Sequence, residues 1–154
     1  MTGSHVGKKR TRGIHVLIAG ADVFLDTNIL LHAANGQAAD REKWQVAHGL
    51  LTTQFGTSAQ VLAEFYANAI SKGCRPLSPD EARRWVSLLA RKPFVAADEQ
   101  LVLAGIAVSQ RFEISYWDGA VIAAAERLGA ATLYTEGLSH GQAYGPVTVV
   151  NPFL

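Results

Sequence analysis

The feature that most constrains the fold is a short apolar run that ends abruptly at an acid. It reads Val23-Phe24-Leu25-Asp26-Thr27-Asn28, with a carboxylate directly after the apolar residues and an amide two positions later. A continuous apolar run of this length is typical of a strand covered on both faces, as in parallel sheets. Because ligands bind beyond the carboxyl ends of such strands, the run predicts a functional site at Asp26.

Strand-like and helix-like patterns alternate along the rest of the chain, which predicts an α/β fold with a mostly parallel sheet. Strands are predicted at 23–26, 55–58, 131–135 and 147–150. Helices are predicted between them, at 28–34, from Asp40, from Ser58 to Gly73, from Ser78 to Pro93, from Asp98 to Phe112, and over 120–128.

Length and composition favour one folded domain. With 154 residues, 49% of them apolar, the chain can bury a substantial core and is unlike a disordered protein. We predict a single domain over residues 21–154, preceded by an arm at 1–20 that is flexible and either native or added during cloning. The apolar stretch in this arm is interrupted by His15 and Asp22, which argues against a secretory signal.

Charge and cysteine content restrict the partners and the compartment. The four basic residues within 1–13 have no acidic neighbours there, and without them the chain has 10 basic and 13 acidic residues. The folded part is therefore not a general polyanion binder, so a nucleic acid would need local cations or a bound metal. The lone Cys74 fits a reducing, cytoplasmic location, and no run approaches the ~20 apolar residues of a membrane span.

Acidic residues mark the predicted junctions between strands and helices. Asp26 ends a strand, Glu64 interrupts the apolar stripe of a helix, Asp118 falls near a helix start, and Glu136 follows a strand. Taken singly, each has a plain structural explanation as a cap or a solvated residue. Together they could lie in one crevice, where a bound cation would be needed to offset the repulsion between their negative charges.

Magnesium or manganese is the cation that fits this set of residues. Both ions prefer hard oxygen ligands, and the chain has no His or Cys cluster at zinc spacing. Such an ion lowers the pKa of its bound water and stabilises charge on phosphorus. The sequence therefore indicates phosphodiester hydrolysis.

Four segments in matching order resemble the PIN-domain ribonucleases, and among them the VapC-like toxins of toxin–antitoxin pairs. The resemblance spans Val23 to Phe153. Its carriers are Phe24-Leu25-Asp26-Thr27-Asn28-Ile29-Leu30, Thr57-Ser58-Ala59-Gln60-Val61-Leu62-Ala63-Glu64-Phe65-Tyr66, Ser115-Tyr116-Trp117-Asp118-Gly119-Ala120, and Leu133-Tyr134-Thr135-Glu136-Gly137-Leu138-Ser139-His140-Gly141-Gln142.

The resemblance implies a three-layer α/β/α sandwich and metal-dependent cleavage of RNA. By position, Asp26, Glu64 and Asp118 would be the catalytic, metal-binding acids, with Glu136 as a further metal ligand. Asn28 would support Asp26. Thr135 would lie at the edge of the site.

One position departs from the family pattern. The last motif of the relatives usually reads Thr-Glu-Asp-Leu, and this chain has Gly137 where the fourth acid belongs. The loss removes a carboxylate that would help to hold the metal or its water. It puts the activity in doubt more than the fold.

The resemblance also implies partners. They are an RNA substrate, a small cognate antitoxin and a second copy of the chain in a homodimer. His140 could contact substrate phosphate, although a structural or solvated role is the favoured interpretation for a single histidine in this loop.

Two other functions stay open at this point. A catalytically impaired or inactive module that binds RNA or antitoxin is favoured by Gly137, and it would bind RNA without binding manganese. A phosphatase would also use an Asp at a strand end. Asn28 stands where the commonest acid-pair phosphatases have a second Asp, which argues against that reading.

Overall fold

A computed structural model describes residues 20–73 and 75–154, and Gly20 is the first described residue of the predicted arm. The rest of the arm and Cys74 lie outside the described residues. The elements in chain order are β1 (Val23–Leu25), α1 (Thr27–Ala39), α2 (Arg41–Leu50), β2 (Phe55–Ser58), α3 (Ala59–Ala69), α4 (Pro79–Leu89), β3 (Phe94–Val95), α5 (Glu99–Phe112), α6 (Tyr116–Arg127), β4 (Thr132–Tyr134), β5 (Ala143–Tyr144) and β6 (Val147–Val150).

A six-stranded sheet in the order β3-β2-β1-β4-β6-β5 forms the middle layer. All neighbouring strands are parallel except β5, which runs antiparallel to β6. From β1 the chain builds outward on one side through β2 and β3, and on the other through β4 and β6. The strand order therefore reverses between β1 and β4, which is where open parallel sheets bind their ligands.

The predicted α/β/α sandwich is confirmed. Helix α5 packs against α6, and α1 packs against α2 and α3. The sheet is buried between the helices, and Phe24, Phe55 and Leu133 in its strands have zero or near-zero exposure. Within the described part of the chain, no helix has the length and apolar character needed to cross a bilayer.

The helix starts follow the sequence signals. Ser58, Ser78 and Asp98 each accept a hydrogen bond from a backbone N–H three residues on, which satisfies one of the free donors at a helix start. Asp40 does the same for α2, and Pro79 occupies the first turn of α4. These predicted starts are confirmed.

The main differences from the sequence prediction concern short or extended elements. Strands β3 and β5 have two residues each, too few to show a period, and neither was predicted. Helix α1 continues to Ala39 rather than ending at 34. The glycine at position 36 within it allows Trp44 of α2 to pack closely, because a Cβ there would lie 2.9 Å from the Cβ of Trp44. Strands β2 and β6 have the predicted bounds.

A close approach between α5 and α6 depends on two glycines. A Cβ added at Gly119 would lie 2.5 Å from the carbonyl oxygen of Gly105 and 2.9 Å from the backbone nitrogen of Ser109. Both of those atoms belong to the backbone, so neither can turn aside. The glycine pair therefore sets the separation of the two helices and, with it, the position of Asp118.

We expect Gly119→Ala to destabilise the fold by about 1–3 kcal/mol, because it overpacks a rigid backbone contact. Gly49→Ala is the matched control. A Cβ there meets nothing within 4 Å, and alanine in α2 should stabilise the protein by roughly 0.5–1 kcal/mol. Urea unfolding of the two variants should give opposite signs, and equal values would contradict this account of the helix contact.

Candidate functional site

Asp26 lies at the carboxyl end of β1, beside β4 and at the point where the strand order reverses. Its backbone N–H donates to the carbonyl of Tyr134 at 3.1 Å, which fixes its position next to the end of β4. Its side chain caps α1 and is favoured as an anion by the dipole of that helix. The acid expected from the sequence therefore sits where the topology places ligands.

Two hydrogen bonds hold the carboxylate of Asp26. The backbone N–H of Thr27 donates to Oδ1 at 2.8 Å, and the hydroxyl of Thr135 donates to Oδ2 at 2.8 Å. The side chain of Thr135 is completely buried. Thr135, predicted at the edge of the site, thus contacts its central acid directly.

The direction of the Thr135 hydroxyl is determined by its other partners. Its oxygen accepts from the side-chain amide of Asn28 at 3.2 Å and from the backbone N–H of Gly137 at 3.1 Å. Because two donors occupy the lone pairs, the hydroxyl proton points to Asp26. The Oδ1 of Asn28 accepts from the backbone N–H of Glu136 at 3.3 Å, so Asn28 ties the end of β1 to the segment after β4.

Burial raises the pKa of Asp26 above its ordinary value, and the hydrogen bonds from Thr135 and Thr27 oppose this effect. The charges of Glu64 and Asp118 raise the pKa of Asp26 further. The pKa of Asp26 is thus higher in the folded state than in the unfolded state. At neutral pH the ionised side chain therefore lowers the free energy of unfolding. This cost disappears as the pH falls through the folded-state pKa, because the buried carboxyl group is then protonated. Glu64 and Asp118 therefore lie near enough to Asp26 for their charges to act on it.

Glu64 projects from α3 and is held by two donors. The hydroxyl of Thr27 donates to Oε2 at 3.2 Å, and the amide of Gln60 donates to Oε1 at 3.2 Å. The same amide contacts the carbonyl of Trp117 at 3.4 Å, close to the start of α6. Thr27 binds Asp26 through its backbone and Glu64 through its side chain, so it sets the relative position of the two acids.

Asp118 lies in the first turn of α6, as predicted, where its N–H donates to the capping hydroxyl of Ser115 at 3.1 Å. Its carboxylate is half-buried and makes no hydrogen bond with the described residues. The helix dipole favours an anion at this position. Asp118 is therefore the acid of the three whose side chain is least constrained.

The structure does not bring Glu136 to the other acids. Its Oε1 lies 2.6 Å from Nε2 of His32, and its Oε2 accepts from Nζ of Lys43 at 3.1 Å. Burial alone would raise the pKa of Glu136, but the hydrogen bonds and charges of His32 and Lys43 outweigh it and lower the pKa. In this structure the carboxylate of Glu136 is engaged by His32 and Lys43 and not by the other acids, and its role as a metal ligand stays a prediction.

Gly137 leaves open space at the site. A Cβ added there would lie 3.6 Å from Oγ1 of Thr135 and 3.9 Å from Nδ2 of Asn28, both ordinary contacts. An acid at this position would thus extend beside the network that holds Asp26. His140, the other candidate in this loop, accepts a hydrogen bond from the N–H of Asn151 at 3.0 Å, which gives it a structural role in the C-terminal segment.

The residues fit a hard cation in chemistry. Asp26, Glu64 and Asp118 offer only oxygen atoms, as Mg²⁺ and Mn²⁺ prefer. Among residues 20–73 and 75–154, no three Asp, Glu, His or Cys side chains are grouped closely enough to hold a metal ion as they stand. Since Asp118 is unrestrained by hydrogen bonds to these residues, its side chain is the one able to adjust to an ion.

Comparison with known families identifies the fold and its lineage. The family model for the PIN domain matches residues 23–143, which is more than half of the chain and includes Asp26, Glu64, Asp118 and Thr135. The chain belongs to the PIN-domain family. A comparison with curated proteins gives no match.

Solved structures of toxin–antitoxin proteins have a similar fold. A toxin–antitoxin complex from Klebsiella pneumoniae is 18% identical with a TM-score of 0.62, covering 84% of this chain and 97% of that one. VapC20 from Mycobacterium tuberculosis, a toxin that cleaves the sarcin–ricin loop, is 20% identical with a TM-score of 0.60, covering 75% and 90%. VapBC2 from Rickettsia felis, bound to a promoter DNA fragment, is 19% identical with a TM-score of 0.56, covering 82% and 96%.

Sequence reasoning missed four residues of the site region. Nothing in the sequence shows that Thr27 joins two acids. The spacing of Gln60 four residues before Glu64 was a usable signal, because such pairs are neighbours on a helix. The contacts of His32 and Lys43 with Glu136 cross about a hundred positions and have no local signature.

We expect Thr135→Val to raise the pKa of Asp26 further, since it removes a hydroxyl donor to the ionised form. It also leaves the donors of Asn28 and Gly137 unpaired, at a cost of about 1–3 kcal/mol in the free energy of unfolding. Carboxyl-carbon NMR titration would follow the pKa directly.

The control is Thr132→Val in the same strand, whose side chain makes no hydrogen bond with the described residues. Only the Thr135 variant should displace the titration of Asp26. An unchanged titration in Thr135→Val would show that the hydroxyl does not govern that carboxylate.

Proposed function

We propose that this chain is a metal-dependent endoribonuclease that hydrolyses RNA phosphodiester bonds. The observation that carries the proposal is the convergence of three acids at the switch point, where Glu64 and Asp118 raise the pKa of Asp26. Membership of the PIN-domain family supports the choice of reaction. The substrate class rests on the likeness to toxins such as VapC20, which cleaves the sarcin–ricin loop.

Each acid has a distinct part in the proposed reaction. Asp26 and Glu64 are held in fixed positions by Thr27, Thr135 and Gln60, and would provide a rigid pair of ligands. Asp118 would complete the metal site from α6. A bound Mg²⁺ or Mn²⁺ would supply a nucleophilic water at neutral pH and stabilise the charge developing on the phosphate.

The biological role we propose is that of the toxin of a type II toxin–antitoxin pair. All three structures compared here have toxins or toxin–antitoxin complexes as their subject, and each is covered over 90% or more of its length. A cognate antitoxin would be the protein partner. With RNA as substrate, the place of action would be the cytoplasm.

A non-catalytic RNA-binding or antitoxin-binding module is the second candidate, favoured by Gly137. That residue removes an oxygen ligand, and the acids of the described residues are not gathered tightly enough to hold an ion as they stand. Such a module would bind RNA with no dependence on divalent ions. Cleavage and binding assays on the same samples separate the two functions.

We expect manganese-dependent cleavage of a mixed RNA pool by the unaltered chain, and its loss on addition of EDTA. Asp118→Asn should abolish cleavage while preserving the fold, because it removes a charge whose side chain makes no hydrogen bond with the described residues. Gel analysis of RNA fragments would measure both. RNA binding without any cleavage would favour the binding module.

We also expect Gly137→Asp to lower the manganese concentration for half-maximal cleavage by roughly tenfold, on the scale typical of groups that support a metal site. The backbone admits a side chain there without a clash. Gly20→Asp is the matched control, since it adds the same charge in open space before β1, at the opposite edge of the sheet. Equal curves for both variants would contradict a role for position 137.

A homodimer is the proposed assembly. Large apolar side chains are exposed on α5 and at the start of α6, with Leu103 at 57% and Trp117 at 62%. Trp117 and Val102, the neighbour of Leu103 on α5, line an apolar groove of ≈ 570 Å³ that reaches Glu64. We expect Leu103→Ser to shift the sedimentation of the chain from dimer towards monomer. The control is Leu88→Ser, which removes a comparably exposed leucine from α4.

A further inference from the structure

Four side chains form a compact group beside the acids, which we call the rim cluster: His32, Lys43, Glu136 and Phe153. The Oε2 of Glu136 lies 3.1 Å from Nζ of Lys43, and its Oε1 lies 2.6 Å from Nε2 of His32. The ring of Phe153 lies under both partners, with its centroid 4.9 Å from that of His32 and 5.2 Å from the Lys43 nitrogen. An ammonium over an aromatic face is attracted by the ring and is held in place.

Hydrogen bonds connect the rim cluster to the acids. The backbone N–H of Glu136 donates to Asn28, whose amide donates to Thr135, and the hydroxyl of Thr135 donates to Asp26. Within the described residues, Lys43 and His32 are the basic side chains that this network joins to the site. The cluster is therefore part of the rim of the site and not a distant surface pair.

The exposure of Lys43 and its free donors suit an anion-binding position. Lys43 is 37% exposed and His32 is 26% exposed, so an anion from solvent can reach them. An ammonium has three donors, and Glu136 takes one of those of Lys43. The neighbouring acids repel a polyanion, so a strand of RNA approaching them needs a cation close by.

The loop leaves room for a backbone strand at this position. Gly137 is exposed and has no side chain, and a Cβ there would meet only Thr135 and Asn28, at ordinary contact distances. Gly137 thus presents no side chain over the hydrogen-bond network that joins the rim cluster to Asp26. A strand with a phosphate beside Lys43 would meet no side chain at position 137.

We infer that the rim cluster is a phosphate-binding subsite for the RNA strand, with Lys43 as the contacting cation and Glu136 as its internal counter-ion. The inference rests on the proposed function for its substrate class. Glu136 keeps Lys43 neutralised and oriented while the site is empty of RNA. A phosphate oxygen takes the free donors of Lys43 and competes with the carboxylate.

The test measures binding of a short, labelled single-stranded RNA in EDTA, so that no cleavage occurs. Lys43→Met should weaken binding about fivefold and reduce the slope of log affinity against log salt by about 0.7, the loss of one phosphate contact. Glu136→Gln should tighten binding, because it removes the competing negative charge. Both variants are checked for an unchanged thermal midpoint.

Lys92→Met is the matched control. Lys92 also lies over an aromatic ring, at 5.2 Å from the centroid of Phe55, but that ring is at the start of β2 and away from the acids. Its loss should leave the salt slope unchanged. Lys43→Arg keeps the charge and should retain most of the binding even if Lys43→Met perturbs the fold.

The outcomes distinguish the subsite from the function on which it rests. If the unaltered chain binds no RNA, the proposed RNA substrate and the subsite both fail. If it binds and cleaves RNA but Lys43→Met matches Lys92→Met in salt slope, the subsite is overturned and the nuclease stands. Weaker binding by folded Glu136→Gln would overturn the role of Glu136 as counter-ion.

Discussion

The arrangement of the site depends on one buried carboxylate at the end of β1. Taking Asp26 out of water raises its pKa, and the fold offsets this with two short hydrogen bonds, one from the N-terminus of α1 and one from Thr135. Supporting that second bond requires donors from Asn28 and Gly137, which join β1 to the segment after β4. The switch point is therefore a functional position and also the place where a buried charge determines how neighbouring segments are tied together.

The most informative local feature is the divergence of Glu136 and Gly137. In the family pattern the acid belongs at position 137, and in this chain the preceding Glu136 turns to His32 and Lys43. Its carboxylate therefore cannot substitute for the missing one without giving up two favourable contacts. Sequence proximity to the candidate site is thus a poor guide to membership of it, because the bend after β4 directs the side chain of Glu136 to α1 and α2.

Much of the architecture was predictable because it depends on local patterns. The apolar run at Val23, the capping residues and the ordered acids predicted the sheet, the helix starts and the two acids whose charges act on Asp26. The remaining parts depend on contacts between distant residues. The two-residue strands have no period to detect, the bridging role of Thr27 needs the position of α3, and the diversion of Glu136 needs the positions of α1 and α2. The loss of the acid at position 137 can be read from the sequence, but the open space around Gly137 can be found only from the structure.

The contact between Gly105 and Gly119 has a consequence for how the acids are assembled. Asp26 and Glu64 belong to one rigid unit, joined through Thr27, whereas Asp118 is carried by α6, whose partner is α5. The hydrogen bond from Gln60 to Trp117, at 3.4 Å, is a weak polar link between α3 and the start of α6. An ion held by all three acids would crosslink the start of α6 to the unit that carries Asp26 and Glu64. Divalent cations would then increase the cooperativity of unfolding. The thermal unfolding midpoint measured with the ion present would be higher when the metal site is better formed.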